Sequence, residues 1–372
     1  MIVFSGLLTL AKTVSISAKS IAKKRLSFLR SLQFDLLKSS DSRIILITPR
    51  KYFLGFLLEN YLYDIERYCS FATFTTLPEN FENLRARIIA HYHVIEKGLA
   101  LRNTRLGFAP EIINTLFDLL NLYIEKDYPT YDEQFVAALK ALESYCEFHS
   151  ANGYDIQSIL DKLNECLDRI PKCHISSSLK CGGGTLTVFK KDILENASKG
   201  FEYLARSRYS IRNFEKGSID ITLIIKAIEI SQKTPSVCNR QSSFVYILSD
   251  EKAKHDALSC QNGNRGFGHL ADKVLVVTAN LRSFWSVEDR NQAFIDGGMF
   301  GMSLIYALHS LGLGTCTLNW SATKERDLAL REVIPIKEEE IVIFMIAVGL
   351  LPEKLDIAFS QRKNTGSIVA II

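Results

Sequence analysis

Two arginines four residues apart, with a serine between them, form the first segment able to do chemistry: Arg208-Tyr209-Ser210-Ile211-Arg212-Asn213-Phe214. Guanidinium groups present several fixed donors and grip phosphate well. A hydroxyl between them adds a neutral donor. Alone, the segment reads equally as a basic surface turn. A second segment, Thr234-Pro235-Ser236-Val237-Cys238-Asn239-Arg240-Gln241, lies between a helical pattern and a strand pattern. Its Ser, Asn and Gln side chains combine donors and acceptors, the set that reads a heteroaromatic edge. Its plain reading is a helix-to-strand loop. A third, Asp296-Gly297-Gly298-Met299-Phe300-Gly301, opens a long apolar helix, which closes at Leu311-Gly312-Leu313-Gly314-Thr315-Cys316. Small residues let backbones approach closely, and glycine just past a helix end is a C-cap signal. Packing is the expected work of these glycines. A fourth, Arg362-Lys363, lies beyond Gly349-Leu350-Leu351-Pro352 and adds two cations.

The elements that must position these segments follow from periodicity. Helical patterns are expected at 193–204, 219–233 and 296–311. Strands are expected at 244–248, 274–278, 315–318, 341–348 and 368–372. The run at 274–278 is wholly apolar, which suits a central strand. The alternation predicts an α+β fold with a central sheet flanked by helices over 191–372. Residues 1–190 read as an all-α domain. Apolar residues recur at helical spacing over 52–71, 79–101, 110–128, 131–150 and 155–170, punctuated by Pro110, Pro129 and the Asn152-Gly153 turn. The Arg43–Thr48 run (RIILIT) reads as a short buried strand or a helix start. The Ser- and Gly-rich segment 171–184 reads as a linker. Its glycines Gly182, Gly183 and Gly184 are no phosphate loop, because no GK[ST] follows them and no strand precedes them.

In combination and order, RYSIR, PSVCNRQ, DGGMFGMSLIYALHSLGLGTC, VGLLPE and RK resemble the FMN-dependent nitroreductase family. The resemblance covers the C-terminal half. It implies a nitroreductase-like sheet and a homodimer that builds its FMN site across the subunit interface. By resemblance, Arg208, Tyr209, Ser210 and Arg212 would hold the phosphate, ribityl and pyrimidine side, with Arg362 and Lys363 completing the phosphate site. Pro235, Ser236, Val237, Asn239 and Gln241 would come from the opposite subunit, and Asn264 would meet the pyrimidine ring. Asn319 and Trp320 stand where the family often has Glu-Gly near the flavin N5, so they are the candidate catalytic positions. The bulky Trp320 would narrow or floor the substrate pocket. The family's C-terminal tail often adds a strand to the partner's sheet, and the terminal IVAII fits that. NADH or NADPH would be co-substrate, with a small electron-poor acceptor. Combined with a helical region carrying His91-Tyr92-His93-Val94-Ile95-Glu96-Lys97-Gly98-Leu99, the chain also looks, more loosely, like proteins of bacterial surface-polysaccharide gene clusters. The alternative is a non-catalytic dimeric scaffold or binding protein in a polysaccharide assembly.

Composition bounds the rest. The 372 residues are 47% hydrophobic and 23% charged, with net charge +4. This suits a globular protein with a sizeable core and gives no sign of nucleic-acid binding. Eight scattered cysteines without CxxC or His at ligand spacing predict no metal site. They suit a reducing cytoplasm. Cys173 and Cys181 read as free loop thiols, and Cys238 and Cys316 as small buried hydrophobes. His93, Glu96 and Lys97 share one helix face, read as the charged face of a docking helix. The apolar stretch 1–11 is too short to span a bilayer. Residues 12–34, basic and without an acid, read as a solvated amphipathic helix, with peripheral membrane contact as the other reading.

Overall fold

The structure is a computed structural model that describes residues 48–71, 80–171, 182–284 and 286–372. The readings for 1–11, 12–34, 43–47 and Cys173, His174 and Cys181 lie outside the described residues. Helix α1 (Thr48–Phe71) and residues 286–290 belong to one compact unit. In it Arg290 pairs with Asp64 at 2.8 Å. The remaining described residues form a second unit.

The second unit begins with four helices: α2 (Phe81–Leu99), α3 (Pro110–Glu125), α4 (Glu133–Ala151) and α5 (Gln157–Asp168). The Asn80 side chain caps α2, and Pro110 sits at the first turn of α3 where its missing N–H costs nothing. Asp132 caps α4 and also pairs with buried Arg85 at 2.7 Å. Leu84, Ile88, Tyr92 and Ile95, at three- and four-residue spacing on α2, meet Leu116, Leu120, Phe135 and Tyr145 in one core. These helices match the expected periodicity.

The sheet half runs β1 (Thr185–Phe189), α6 (Lys190–Ala197), α7 (Phe201–Arg206), α8 (Ile221–Ser231), β2 (Ser243–Leu248), α9 (Glu251–Ser259), β3 (Lys273–Asn280), α10 (Gln292–Ser310), β4 (Leu313–Asn319), α11 (Lys324–Val333), β5 (Glu340–Leu350) and β6 (Lys354–Ala358). The main sheet has the order β2-β3-β5-β4, all antiparallel. Strand β3 is central, as its apolar run implies. Side chains alternate across a strand, so one run feeds two cores. Val274 and Val276 of β3 join Met345 and Ala347 of β5 on one face. Leu275, Val277, Ile346 and Val348 join Leu304 and Leu308 of α10 on the other. Glycines let α10 lie close to β5: a Cβ at Gly297 would strike Ile343, and one at Gly301 would strike Phe344.

Several expectations need correction. The helix expected at 193–204 is two helices, broken at Ser198–Gly200, where Gly200 takes the N-cap of α7. Strands β1 and β6 were not expected; they pair antiparallel in a small second sheet. The tail 368–372 forms no strand within this chain, and Ile371 is fully exposed. The last residues of the expected linker do structural work. Gly183 and Gly184 pass so close to α4 that a Cβ would meet Ala137, Lys140 or Ser144.

Gly314 of β4 and Gly349 of β5 face each other in register. Their missing side chains seat Ile211 and Phe214, which arrive from the segment that carries the arginines. A Cβ at Gly349 would overlap Phe214, whose ring is buried and cannot swing away. We expect Gly349→Ala to lower unfolding free energy by about 1–3 kcal/mol, as overpacking does. Urea unfolding checks this, and an unchanged midpoint would contradict it.

Candidate functional site

The Arg208–Phe214 segment runs along the outer edge of β4. Ser210 bridges Thr315 in parallel, and the Ile211 N–H donates to the Thr315 carbonyl at 2.8 Å. Tyr209 and Ile211 pack into the core of the first sheet face. With alternation, Arg208 and Ser210 therefore project to the opposite side, whereas Arg212 turns back over the Phe267 ring of the first face. There a cleft of about 490 Å³ opens between this segment, α10 and β4. Arg208, Ser210, Met302, Tyr306, Thr317 and Arg362 line it. Its size falls in the usual range for small-molecule sites.

The electrostatics are one-sided. No carboxylate among the described residues lines the cleft. Burial, and next the like charge of Arg362, push the Arg208 pKa down. Burial followed by the Arg212 charge does the same to Lys97 of α2. The Arg212 guanidinium makes only a long 3.5 Å contact to the Ser210 carbonyl and lies over the Phe267 ring. Cys316 sits behind the strand among these cations. Burial raises its thiol pKa even though Arg212, Lys97 and Arg208 pull it down. Positive groups gathered without acids are the signature of an anion site.

The candidate residues divide by position. Arg208, Ser210 and Arg362 come together on the cleft, and Arg212 does not line it. Lys363 instead lies near Glu133 of α4. The Pro235–Gln241 loop stands elsewhere in the chain. Val237 N–H donates to Asp296 at 3.2 Å, near the start of α10. Tyr306, which lines the cleft, is ten residues further along α10, about 15 Å of helix rise away. Within this loop Cys238, Asn239 and Gln241 all adopt positive φ, near 50°. Such conformations cost about 1 kcal/mol or more each away from glycine. The hydroxyls of Thr234 and Ser242, at either end of the loop, are buried without a partner. Cys238 is exposed, unlike the expected buried hydrophobe; Cys316 is buried as expected. Asn264 donates its amide to the Leu258 and Gln261 carbonyls, at 2.7 and 2.8 Å, and so braces its own turn.

Asn319 ends β4 exposed and donates to the Ser321 hydroxyl at 2.7 Å. The Trp320 indole donates to Asp327 of α11 at 3.1 Å and packs against the core of the first face. Neither lines the cleft within one chain. Sequence reading missed Thr317 and Tyr306. Thr317 was reachable, since strand alternation from Thr315 places it on the cleft side.

Among the described residues no group of His, Cys, Asp and Glu could hold a metal. No helix among them is long and apolar enough to cross a membrane.

Residues 254–350 match the model of the nitroreductase family, and the sheet half has the nitroreductase-like fold expected from its motifs. That span includes α9 to β5 and hence the α10–β4 wall of the cleft. Solved structures similar to the chain include a nitroreductase family protein from Clostridium novyi, at 19% identity over 42% of this chain and 87% of that one, with TM-score 0.38. A nitroreductase family protein from Streptococcus pneumoniae is 18% identical over 46% and 100%, with TM-score 0.40. An FMN-dependent nitroreductase from Clostridium difficile is 17% identical over 45% and 92%, with TM-score 0.36. No curated protein matches the chain.

His309, on α10 beside the cleft, accepts or donates one hydrogen bond with Ser207 at 2.9 Å. Burial, then the Arg208 charge, lowers its pKa to about 4. Between that value and the ordinary 6.5, the unfolded chain binds a proton that the folded chain refuses. Stability therefore falls as pH drops from 6.5 to 4, by up to about 3 kcal/mol. Urea unfolding at pH 4.5 and 7 should show this loss in the native protein and much less in His309→Gln. Equal losses would contradict it.

Proposed function

We propose that this nitroreductase-family domain works as an FMN-dependent oxidoreductase, passing electrons from NADH or NADPH to a small electron-poor acceptor. The observation that carries the reading is the cleft itself: Arg208 and Arg362 converge on it with no acid to neutralise them. A phosphate is the group they fit, since planar guanidinium donors match its oxygens. Ser210, Thr317 and Tyr306 add hydroxyls suited to a polyol chain. Bound FMN would supply the hydride chemistry. The residues of this chain then have limited tasks. They hold the phosphate, place positive charge near the ring and keep one face open to co-substrate and acceptor in turn.

The reading includes a homodimer. Exposed apolar residues gather on the neighbouring helices α8 (Ile221, Ile225) and α10 (Phe294, Ile295, Met299). The tail adds Ile368, Val369, Ile371 and Ile372, all exposed. A patch of this kind favours a partner. A second copy would also bring the Pro235–Gln241 loop, with its strained backbone, to a cleft that the chain's own loop does not line. The acceptor class includes nitro compounds, quinones and unsaturated sugar-pathway intermediates, in a cytoplasmic setting. A role in surface-polysaccharide metabolism rests only on the looser resemblance of the helical half. A non-catalytic scaffold would leave the unpaired cations without an explanation.

Sedimentation and visible spectra test the proposal together. The native protein should sediment as a dimer carrying flavin bands that bleach on anaerobic addition of NADH or NADPH. The double substitution Ile225→Asp, Phe294→Asp should give a monomer with at least tenfold weaker FMN binding. A native protein that is monomeric, or whose flavin bands persist with both nucleotides, would sink the corresponding part of the reading.

A further inference from the structure

The chain around Arg362 is held by hydrogen bonds rather than by burial. From Phe359 to Ile372 no side chain is buried. Residues on both sides of Arg362 are nevertheless fastened to the helical half and the segment that leaves it. The Phe359 N–H donates to the Gly184 carbonyl at 3.1 Å. The Ser360 N–H donates to both carboxylate oxygens of Glu96 on α2, at 3.2 and 3.3 Å. Gln134 of α4 donates to the Gln361 carbonyl at 3.4 Å, and the Gln361 side chain accepts from the Gly182 N–H at 3.1 Å. Beyond Arg362, the Asn364 N–H donates to Glu133 of α4 at 2.7 Å.

Two of these ties are costly. Glu96 is fully buried, and a carboxylate out of water needs hydrogen bonds or a charge to offset its desolvation. It finds them in His93, at 3.1 Å, and in the Ser360 N–H. Ser360 adopts φ +53°, a conformation that serine holds only when its surroundings fix it. Glu96 is thus an internal anchor, not part of the charged face expected from its spacing. These costs add nothing to the core, since the segment they fix buries no side chain. What they place is Arg362, which lines the cleft with Arg208. The helical half ties the Arg208 segment too: Arg102, just past α2, donates to the Asn213 side chain and to the Phe214 carbonyl, both at 2.6 Å.

We propose that the helical half is a clamp that presets Arg362 for the ligand's phosphate, with Glu96 and Glu133 as positioning residues that set the preference for a phosphorylated over an unphosphorylated flavin without touching either; this rests on the flavin reading above. Arg362 supplies the guanidinium that meets the phosphate oxygens. An exposed arginine on a free chain end would lose backbone and side-chain freedom on binding, and the clamp removes the backbone share of that loss in advance.

The test compares the full-length native protein with Glu96→Met, Glu133→Ala and Arg362→Ala, using FMN and riboflavin as probes and flavin fluorescence as the readout. Arg362→Ala and Glu96→Met should each weaken FMN binding about tenfold, the worth of one charge-assisted bond, and leave riboflavin binding unchanged. Glu133 is partly exposed, so Glu133→Ala keeps the test decisive should Glu96→Met fail to fold; it should shift FMN binding in the same direction. Combining either clamp variant with Arg362→Ala should weaken FMN binding no further than Arg362→Ala alone, because a clamp without its arginine has nothing to place. Equal losses for the two flavins, unchanged FMN binding in the clamp variants, or additive losses in the double variant would each overturn the proposal while native FMN binding stands. A native protein that binds neither flavin would overturn the flavin reading and the clamp's role with it.

Discussion

Uncompensated positive charge is the constraint on which the structure turns. Arg208 and Arg362 line the cleft at one sheet edge, and no carboxylate among the described residues lines it with them. Like charges held in close proximity cost on the order of a few kcal/mol at the effective dielectric of a protein surface. A chain selected for stability alone would place an acid among them. The surrounding protein must therefore hold the cleft arginines in place until an anion offsets the cost.

The fold supplies that restraint in layers. The β4–β5 register places Gly314 opposite Gly349 and so opens a seat for Ile211 and Phe214. With those two buried, Arg208 and Ser210 face the cleft, and Arg212 lies over the Phe267 ring. Helix α10 forms the opposite wall, drawn onto the sheet by Gly297 and Gly301. Neutral His309 beneath it adds no further positive charge beside Arg208. The helical half closes the arrangement through Arg102 and Glu96, which fasten segments far apart in sequence. The placement of the arginine segments thus depends on the helical half as well as on the sheet, as sites held by ordered surroundings generally do.

Much of this was legible from residue types and spacing. The central strand announced itself by a continuous apolar run, and the arginine segment by two arginines four residues apart with a serine between them. The elements that escaped notice lack such signals. β1 and β6 are short, and much of β1 and two residues of β6 face solvent. α9 and α11 are largely polar and bury few residues. Glu96 was read as part of a charged helix face, because its partner, the Ser360 backbone N–H, lies far along the chain. No local pattern encodes that meeting. The Pro235–Gln241 loop was recognised by its residue types, yet one chain does not bring it to the cleft.

The account stands on the cleft's cations serving a phosphate, and one comparison tests that most directly. Titration calorimetry of the full-length protein with FMN and with riboflavin, at the same ionic strength, separates the phosphate from the ring. The account predicts that FMN binds at least a hundredfold more tightly than riboflavin, and that added inorganic phosphate weakens FMN binding by competition. Equal affinities for the two flavins would show that the cations do not serve the phosphate and would contradict the central claim.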